Sequence, residues 1–260
     1  MSAGSAGIIV LERIFAMEYV SLFSANNSRW LAPLLAALAV HEVPLQVIPA
    51  PIANRLPAAL GGLQPLGFSG ALIEDPGYQT QAAGEIVRLE MEAREAGVVD
   101  AVKVQFGELQ GNYLLPVVIK QAMEQSGFAG ARVLWLGNPL PGLRDALRLA
   151  MKVHVMSENP VSGEAFLQQL SPRQRGYAVL DKPQAHALAS QVDLIFYNGG
   201  SLPLSLLQPY HGLFALREPQ QDAYMAVDQV ISPEYFRKLY LSQLLGWVTG
   251  LELPPEDFVE

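Results

Sequence analysis

The chain has 260 residues, of which 50% are hydrophobic and 16% charged, with a formal net charge of −8 and no cysteine. The missing cysteines exclude disulfides, thiolate catalysis and cysteine-ligated metal sites, and an acidic chain without runs of lysine or arginine is not expected to bind nucleic acid. The longest apolar run, Trp30–Val40, is too short for a membrane helix, which needs about 20 residues. The first residues lack a signal-peptide pattern, which favours a cytoplasmic protein.

Strand-like and helix-like segments alternate along the first half of the chain. The segment GEIVRLEMEAREAG is expected to be one helix, because Ile86, Leu89 and Ala93 share a face, Arg88 lies four residues before Glu92, and a glycine follows. The order indicates a layered α/β unit. The predicted elements are strand Glu18–Ser24, helix Trp30–Val40, strand Leu45–Pro51, strand Gly67–Ile73, helix Gly84–Gly97 and strand Val98–Val104.

The second half of the chain repeats the alternation and ends in a long helix. Ser232 is its expected N-cap, and Pro233 occupies its first position. The predicted elements are helix Pro116–Gln125, strand Ala131–Gly137, helix Leu143–Ala150, strand Lys152–Met156, strands Gly176–Leu180, Val192–Tyr197 and Gly212–Leu216, and helix Ser232–Gly250.

These elements predict an α/β protein with two lobes and a ligand cleft between them. Residues 1–110, completed by the C-terminal helix within residues 232–260, form the first lobe, and residues 111–231 form a Rossmann-like lobe. The segment YNGGSLP, Tyr197–Pro203, follows a strand at the carboxyl edge of the second sheet, where α/β proteins bind ligands. Glycine pairs also occur in ordinary turns, so the segment alone does not define a site.

Three strings resemble the shikimate dehydrogenase family and lie in its order. They are AGVVDAVKVQFGELQGNYLLPVVIKQAM (Ala96–Met123), the strand-turn-helix-strand around Gly137, and WVTGLELP (Trp247–Pro254). The resemblance implies that the first lobe is a substrate-binding domain and that the second is an NAD(P)-binding domain.

The resemblance fails at the catalytic positions. In the family, the lysine that ends the motif NVTxPxK works with the aspartate of NTD to move a proton while hydride passes to NADP. The lysine position falls on Asp75, whereas the three positions of NTD fall on Tyr113, Leu114 and Leu115. A carboxylate cannot supply the positive charge of an ammonium group, and leucine carries no proton. The sequence therefore predicts no catalytic residue of the family type.

Other family positions give candidate ligand residues. The asparagine of the family string GAVNT becomes Asp100, and a glutamine of the last helix falls near Tyr240. Together with Asp75 and Tyr113, these residues are predicted to line the ligand cleft, where two carboxylates could share a proton or meet a cation. The alternative interpretation makes both aspartates exposed acids at a turn and a strand end.

The phosphate-binding turn of a dinucleotide-binding protein has become GNPLPG. Gly137, Asn138 and Gly142 are the residues that remain as candidate cofactor contacts. Pro139 and Pro141 lack the N–H groups that would hold phosphate, and two missing donors correspond to about 3–6 kcal/mol of binding free energy. NADP is therefore not expected as the cofactor.

The residues after strand Lys152–Met156 extend this conclusion. The family places the arginine of NRT there, whereas this chain has Ser157 and Glu158. A carboxylate rejects the 2′-phosphate of NADP and accepts a ribose hydroxyl, which leaves NAD or an adenosine-like ligand open. Glu158 is otherwise a solvated loop acid.

The leading hypothesis is a catalytically inactive shikimate dehydrogenase-like protein, a pseudoenzyme, that binds a small molecule or a protein partner in the cleft. The alternative is an NAD(P)-dependent oxidoreductase acting on shikimate or a related hydroxy acid, for which Lys103 and Lys120 are the nearest lysines. A third hypothesis is an interaction scaffold that forms a homodimer through apolar surface. The four histidines have no metal-ligand spacing, so no metal is expected.

Overall fold

The structure, a computed structural model, describes residues 17–25, 27–52 and 55–259. The chain divides into two compact α/β units, one comprising residues up to Leu114 with Leu241–Glu260 and the other Leu115–Tyr240. The predicted α/β class is confirmed. The residues before 17, on which the expectation of a cytoplasmic protein rests, lie outside the described residues. No helix in the described part of the chain is long and apolar enough to cross a membrane.

The first unit is built on a mixed sheet. Its strands are β1 Glu18–Ser24, β2 Leu45–Pro51, β3 Gly70–Ile73, β4 Arg88–Leu89, β5 Ala101–Gln105 and β6 Glu108–Asn112. Its helices before the C-terminal region are α1 Leu31–Val40, α2 Leu56–Leu63, α3 Pro76–Glu85 and α4 Met91–Ala96. Within the described residues the strand order is β2-β1-β3-β5-β6-β4. β1 is parallel to β2 and β3, whereas β5 is antiparallel to β3 and β6.

The predicted helix Gly84–Gly97 is wrong as a single element. α3 already ends at Glu85, and β4 interrupts the predicted helix. Helical structure resumes only in α4. The cause is tertiary, because β4 pairs with β6 along its edge. Arg88 consequently forms an ion pair with Glu108 of β6 instead of with Glu92 along a helix face.

β5 and β6 form a hairpin that the sequence analysis does not predict. Its turn residues Phe106 and Gly107 have φ values of 52° and 79°, and two positive φ angles are what a type I′ hairpin turn requires. Asparagine or aspartate normally takes the first of these positions. Phenylalanine there is unusual, so the turn has no familiar sequence signal.

The second unit is a Rossmann-like sheet, as predicted. Its strands are β7 Arg132–Leu136, β8 Lys152–Met156, β9 Arg175–Ala178, β10 Leu194–Tyr197, β11 Gly212–Ala215 and β12 Gln229–Ile231. The helices that follow α4 are α5 Leu115–Gln125, α6 Leu143–Ala146, α7 Pro160–Gln169, α8 Lys182–Ala189, α9 Gln221–Met225 and α10 Pro233–Thr249. Within the described residues the order is β12-β11-β10-β7-β8-β9, and every pair is parallel. Counted from β7, this is the order 3-2-1-4-5-6 of dinucleotide-binding folds.

Two helices of the second unit are not predicted from the sequence, although the sequence contains signals for where they begin. Asn159 caps α7 by accepting the N–H of Val161 at 3.0 Å, and Asp181 caps α8 by accepting the N–H of Gln184 at 2.8 Å. Both helices carry a proline in their first turn. A cap followed by proline is a recognised helix start, so this signal could have found them.

The last helix begins where the sequence predicts. The Ser232 Oγ accepts the N–H of Tyr235 at 3.1 Å, which confirms the N-cap. The predicted helix Leu143–Ala150 is too long, because α6 ends at Ala146.

The core of the second sheet contains an aromatic stack. Trp135, Phe196 and Phe214 lie side by side on β7, β10 and β11, with ring centroids 5.2 and 4.3 Å apart. Phe236 of α10 continues the stack at 5.3 Å from Phe214. These large buried rings hold the central strands, and therefore the loops that follow them, in fixed positions.

Candidate functional site

Asp75 lies two residues after the end of β3 and caps α3. Its Oδ1 accepts hydrogen bonds from the backbone N–H groups of Gly77 at 2.9 Å and Tyr78 at 3.1 Å. Its backbone is extended, as expected of an N-cap, and Pro76 starts the helix. The carboxylate is held by two donors at the positive end of a helix, so the structure gives Asp75 a clear role in starting α3.

The position of Pro76 also suggests a second alignment of the family motif NVTxPxK. The proline of that motif precedes its lysine by two residues, and Pro76 is the proline that follows β3. Matching the two prolines puts Tyr78, instead of Asp75, at the lysine position. Neither a carboxylate nor a phenol carries positive charge, so both alignments leave this position without an ammonium group.

Asp100 is buried immediately before β5 and holds the chain at the start of α5. It is 0% exposed, and its two oxygens accept the N–H of Leu114 at 2.9 and 2.8 Å. Tyr113 is also buried. Burial first, and then the negative charge of Asp100, raise the pKa of Tyr113 well above its ordinary value. Asp100 and Tyr113 are thus neighbours, and the phenol stays neutral at physiological pH.

Two further residues that the family alignment singles out are Leu115 and Tyr240. Leu115, on which the family's aspartate position is predicted to fall, is the first residue of α5. Tyr240 is buried in α10 and stacks on Phe236 with ring centroids 6.1 Å apart. That Tyr240 shares a ligand site with Asp75, Asp100 and Tyr113 stays a prediction.

The second unit has a topological switch point between β7 and β10, where doubly wound sheets bind their ligands. Gly137 has φ 104°, and a Cβ atom there would lie 3.1 Å from the carbonyl carbon of Asn198 and 3.2 Å from the carbonyl oxygen of Gly199. The Asn198 side-chain amide donates to the backbone oxygen of Asn138 at 3.0 Å. The loops after β7 and β10 are therefore packed and hydrogen-bonded to each other.

The turn after β7 does not fit the pyrophosphate of a dinucleotide. Pro139 and Pro141 supply no N–H, and the left-handed Gly142, with φ 67°, precedes α6. α6 contains four residues, which is too short to present the ordered N–H groups and the dipole of a longer helix. Gly137, Asn138 and Gly142 are thus at the expected edge of the sheet, but the phosphate-binding geometry is missing.

The predicted residues after β8 lie at the same edge. The Ser157 hydroxyl donates to the backbone oxygen of Asn159 at 2.5 Å, which shapes the start of α7. Glu158 is exposed, and its Oε1 lies 3.6 Å from the position that a Cβ on Gly200 would take. Glu158 therefore reaches from the end of β8 to the loop after β10.

At this edge the sequence analysis missed Arg217 and considered Asn198 only as part of a segment. Arg217 follows β11, and its Cδ lies 3.2 Å from the position of a Cβ on Gly199. Asn198 lies within the segment YNGGSLP, whose glycines give the signal that a loop follows β10. Arg217 has no comparable signal, because only the parallel pairing of β10 with β11 brings it to that loop.

The described residues contain no group of three His, Asp or Glu side chains arranged to hold a metal ion. The two buried histidines instead bond to the backbone. His154 Nδ1 accepts the N–H of Tyr177 at 3.2 Å. His211 Nε2 lies 2.8 Å from the carbonyl oxygen of Ala189.

Neither any protein-family model nor any curated protein matches this sequence. Solved structures do match over nearly the whole chain. The shikimate 5-dehydrogenase of Listeria monocytogenes, in complex with shikimate and NAD, has a TM-score of 0.79 at 13% identity and covers 93% of this chain and 95% of its own. The ligand-free 5-ketofructose reductase of a Gluconobacter species gives 0.78 at 14%, covering 94% and 97%.

The shikimate 5-dehydrogenase of Thermus thermophilus, in complex with NADP(H) and shikimate, has a TM-score of 0.74 at 18% identity and covers 94% of this chain and 97% of its own. These identities are low, so the likeness concerns the fold and not the activity. The two units, with a mixed sheet in one and a Rossmann sheet in the other, thus have the shikimate dehydrogenase fold.

Proposed function

We propose that this chain is a catalytically inactive relative of the shikimate dehydrogenases that binds a small molecule without transferring hydride. One observation carries the proposal. The family's lysine position holds Asp75, whose carboxylate caps α3, or Tyr78 in the alignment through Pro76, and its aspartate position holds Leu115. Proton transfer coupled to hydride transfer needs an acid-base pair, and neither alignment supplies the family's pair.

The turn after β7 supports the same proposal. A bound nicotinamide nucleotide would supply the hydride chemistry, but its pyrophosphate requires backbone donors, and Pro139 and Pro141 have none. Glu158 would repel a 2′-phosphate. NADP is therefore not expected to bind in the family manner, and NAD would lack the phosphate contacts.

The test is a dehydrogenase assay on the purified protein. We expect no NADH or NADPH formation from shikimate or quinate above a heat-inactivated control, and no rise of the melting temperature with NADP, because a ligand that binds only the folded state must raise it. A weak activity that is unchanged in both Lys103→Ala and Lys120→Ala would come from a contaminating enzyme. Shikimate-dependent NADPH formation that is lost in Lys103→Ala or Lys120→Ala would contradict the proposal.

The second candidate function is an NAD(P)-dependent oxidoreductase acting on shikimate or a related hydroxy acid. The strand order of the second sheet favours it, because that order is typical of dinucleotide-binding domains. Lys103 of β5 and Lys120 of α5 are its candidate bases. Turnover with NAD that is lost in Lys103→Ala or Lys120→Ala, together with a thermal shift by NAD, would establish this alternative.

The proposal places the protein in the cytoplasm, in keeping with a chain without cysteine that needs no oxidising compartment. It leaves a protein partner and a homodimer as further proposals. Sizing chromatography tests the homodimer, which should elute with an apparent mass of about twice that of the 28.3 kDa chain.

A further inference from the structure

The loop after β10 is a glycine pair held in a fixed conformation. Gly199 and Gly200 have φ values of 114° and 82°, which favour glycine at both positions. The Tyr197 hydroxyl donates to the backbone oxygen of Gly200 at 2.9 Å. A Cβ on Gly137 would lie 3.2 Å from the oxygen of Gly199, so the pair is also packed against the turn after β7. The loop therefore offers a defined surface at the switch point.

Two side chains of opposite charge extend over this glycine pair. Arg217, from the end of β11, has its Cδ 3.2 Å and its Nε 3.8 Å from the Cβ position on Gly199. Glu158, from the end of β8, has its Oε1 3.6 Å from the Cβ position on Gly200. β11 and β8 lie on opposite sides of the switch point, so the two charges approach the pair from the two sides.

The two charges do not neutralise each other. In the part of the chain that the structure describes, no ion pair within 4.0 Å joins Arg217 or Glu158 to another side chain. Both residues are exposed. A guanidinium is a donor for carboxylates, and a carboxylate is an acceptor for ammonium groups. The edge thus presents one receptor for an anionic group and one for a cationic group, separated by a short glycine turn.

This charge pair narrows the ligand class. A dinucleotide carries several negative charges, whereas the proline-containing turn offers few anion donors and Glu158 opposes a phosphate. A molecule with one carboxylate and one ammonium group matches the balance of the edge. Asn198, whose amide is already bonded to Asn138, holds the loops without adding charge.

We propose that the carboxyl edge of the second sheet binds a small zwitterion, whose carboxylate pairs with Arg217 and whose ammonium group pairs with Glu158 over the Gly199–Gly200 turn. The inference rests on the proposed function, which gives small-molecule binding as the activity. It adds the location of the site and the chemical class of the ligand.

The test uses ω-amino acids of increasing length on the full chain without nucleotide. β-Alanine, 4-aminobutyrate and 6-aminohexanoate are titrated up to the millimolar range by calorimetry and thermal shift, with butylamine and butyrate as single-charge controls. We expect at least one ω-amino acid to bind about tenfold more tightly than either control, because it makes two charge-assisted bonds instead of one. The length that binds best reports the separation of the two receptor groups.

Charge-removing variants give the decisive comparison. Arg217→Gln and Glu158→Gln are each expected to weaken the best ω-amino acid about tenfold or more. Glu164→Gln and Arg173→Gln, which change exposed charges elsewhere in the second unit, are expected to leave binding unchanged. Unfolding midpoints equal to that of the unchanged protein establish that the variants are folded.

The inference is overturned if no ω-amino acid binds in the millimolar range, if the single-charge controls bind equally well, or if both charge-removing variants bind as tightly as the unchanged protein. These outcomes are independent of the dehydrogenase assay. Shikimate oxidation would remove the proposed function and leave the zwitterion titration to decide the site by itself.

Discussion

Gly70 shows how a single missing side chain shapes the first sheet. A Cβ atom at this position would lie 2.0 Å from the backbone oxygen of Val102 and 2.7 Å from Cγ1 of Val248. Real Cβ atoms do not approach so closely, and the first obstacle is backbone, which cannot move aside like the end of a flexible side chain. The close approach of β3 to β5, and of the last helix to β3, therefore depends on glycine.

We expect Gly70→Ala to lower the free energy of unfolding by about 1–3 kcal/mol, because the added methyl group overpacks a rigid contact. The matched control is Gly84→Ala in α3, where a Cβ meets nothing within 4 Å. That change is expected to raise the free energy of unfolding by about 0.4–1 kcal/mol, since alanine restricts the unfolded chain. Urea denaturation measures both, and equal effects of the two substitutions would contradict the packing argument.

At the scale of single elements, side-chain caps mark where three of the helices begin. α3, α7 and α8 each begin with an Asp or Asn side chain that accepts backbone N–H groups. A cap of this kind contributes about 0.5–2 kcal/mol. For Asp75 this contribution gives the acidic side chain a structural role at the start of α3.

Asp75→Asn separates the cap from a chemical role of the carboxylate. An asparagine oxygen accepts the same bonds from Gly77 and Tyr78, so Asp75→Asn is expected to change the free energy of unfolding by less than about 0.5 kcal/mol, whereas Asp75→Ala lowers it by about 1 kcal/mol. Urea denaturation with circular dichroism measures the difference. A large loss in the asparagine variant would show that the negative charge itself matters at this position.

For the whole molecule, two buried histidines set the response to mild acid. Burial lowers the pKa of His154, helped by the charge of Lys152, and burial also lowers the pKa of His211 against the raising effects of Ala189 and Asp193. Their Nδ1 atoms accept the N–H groups of Tyr177 and Gln208. A protonated ring nitrogen cannot accept those bonds, so the folded protein favours the neutral form of both rings.

The sign of the pH dependence follows from these shifts. Between the lowered folded pKa and the unfolded pKa of about 6.5, the unfolded chain binds more protons. The contribution of the two neutral histidines to the free energy of unfolding is therefore fully present above about pH 6.5. Below that pH it decreases by up to about 1.4 kcal/mol per pH unit for each histidine. Urea denaturation between about pH 7.5 and 5.5 measures this slope. A His154→Gln, His211→Gln variant that keeps the same slope would assign it to other groups.

The sequence by itself determined the α/β class and the Rossmann-like second half, and it predicts that other residues take the family's lysine and aspartate positions. These features depend on local patterns, such as the apolar strand before Gly137 and the N-cap Ser232. Such patterns do not depend on residues that are distant in sequence. The absence of phosphate donors in GNPLPG is equally local, because proline lacks its N–H in every fold.

Tertiary structure alone decided the break in the segment Gly84–Gly97 and the surroundings of Arg217. Helical spacing there predicts one helix, but pairing of β4 with β6 outweighs the weak intrinsic preference of a short segment. Glu158 and Arg217 are far apart in sequence, and the parallel order of β8, β7, β10 and β11 brings both to the Gly199–Gly200 turn. Strand order arises from long-range hydrogen bonds and burial, which one short sequence window does not contain.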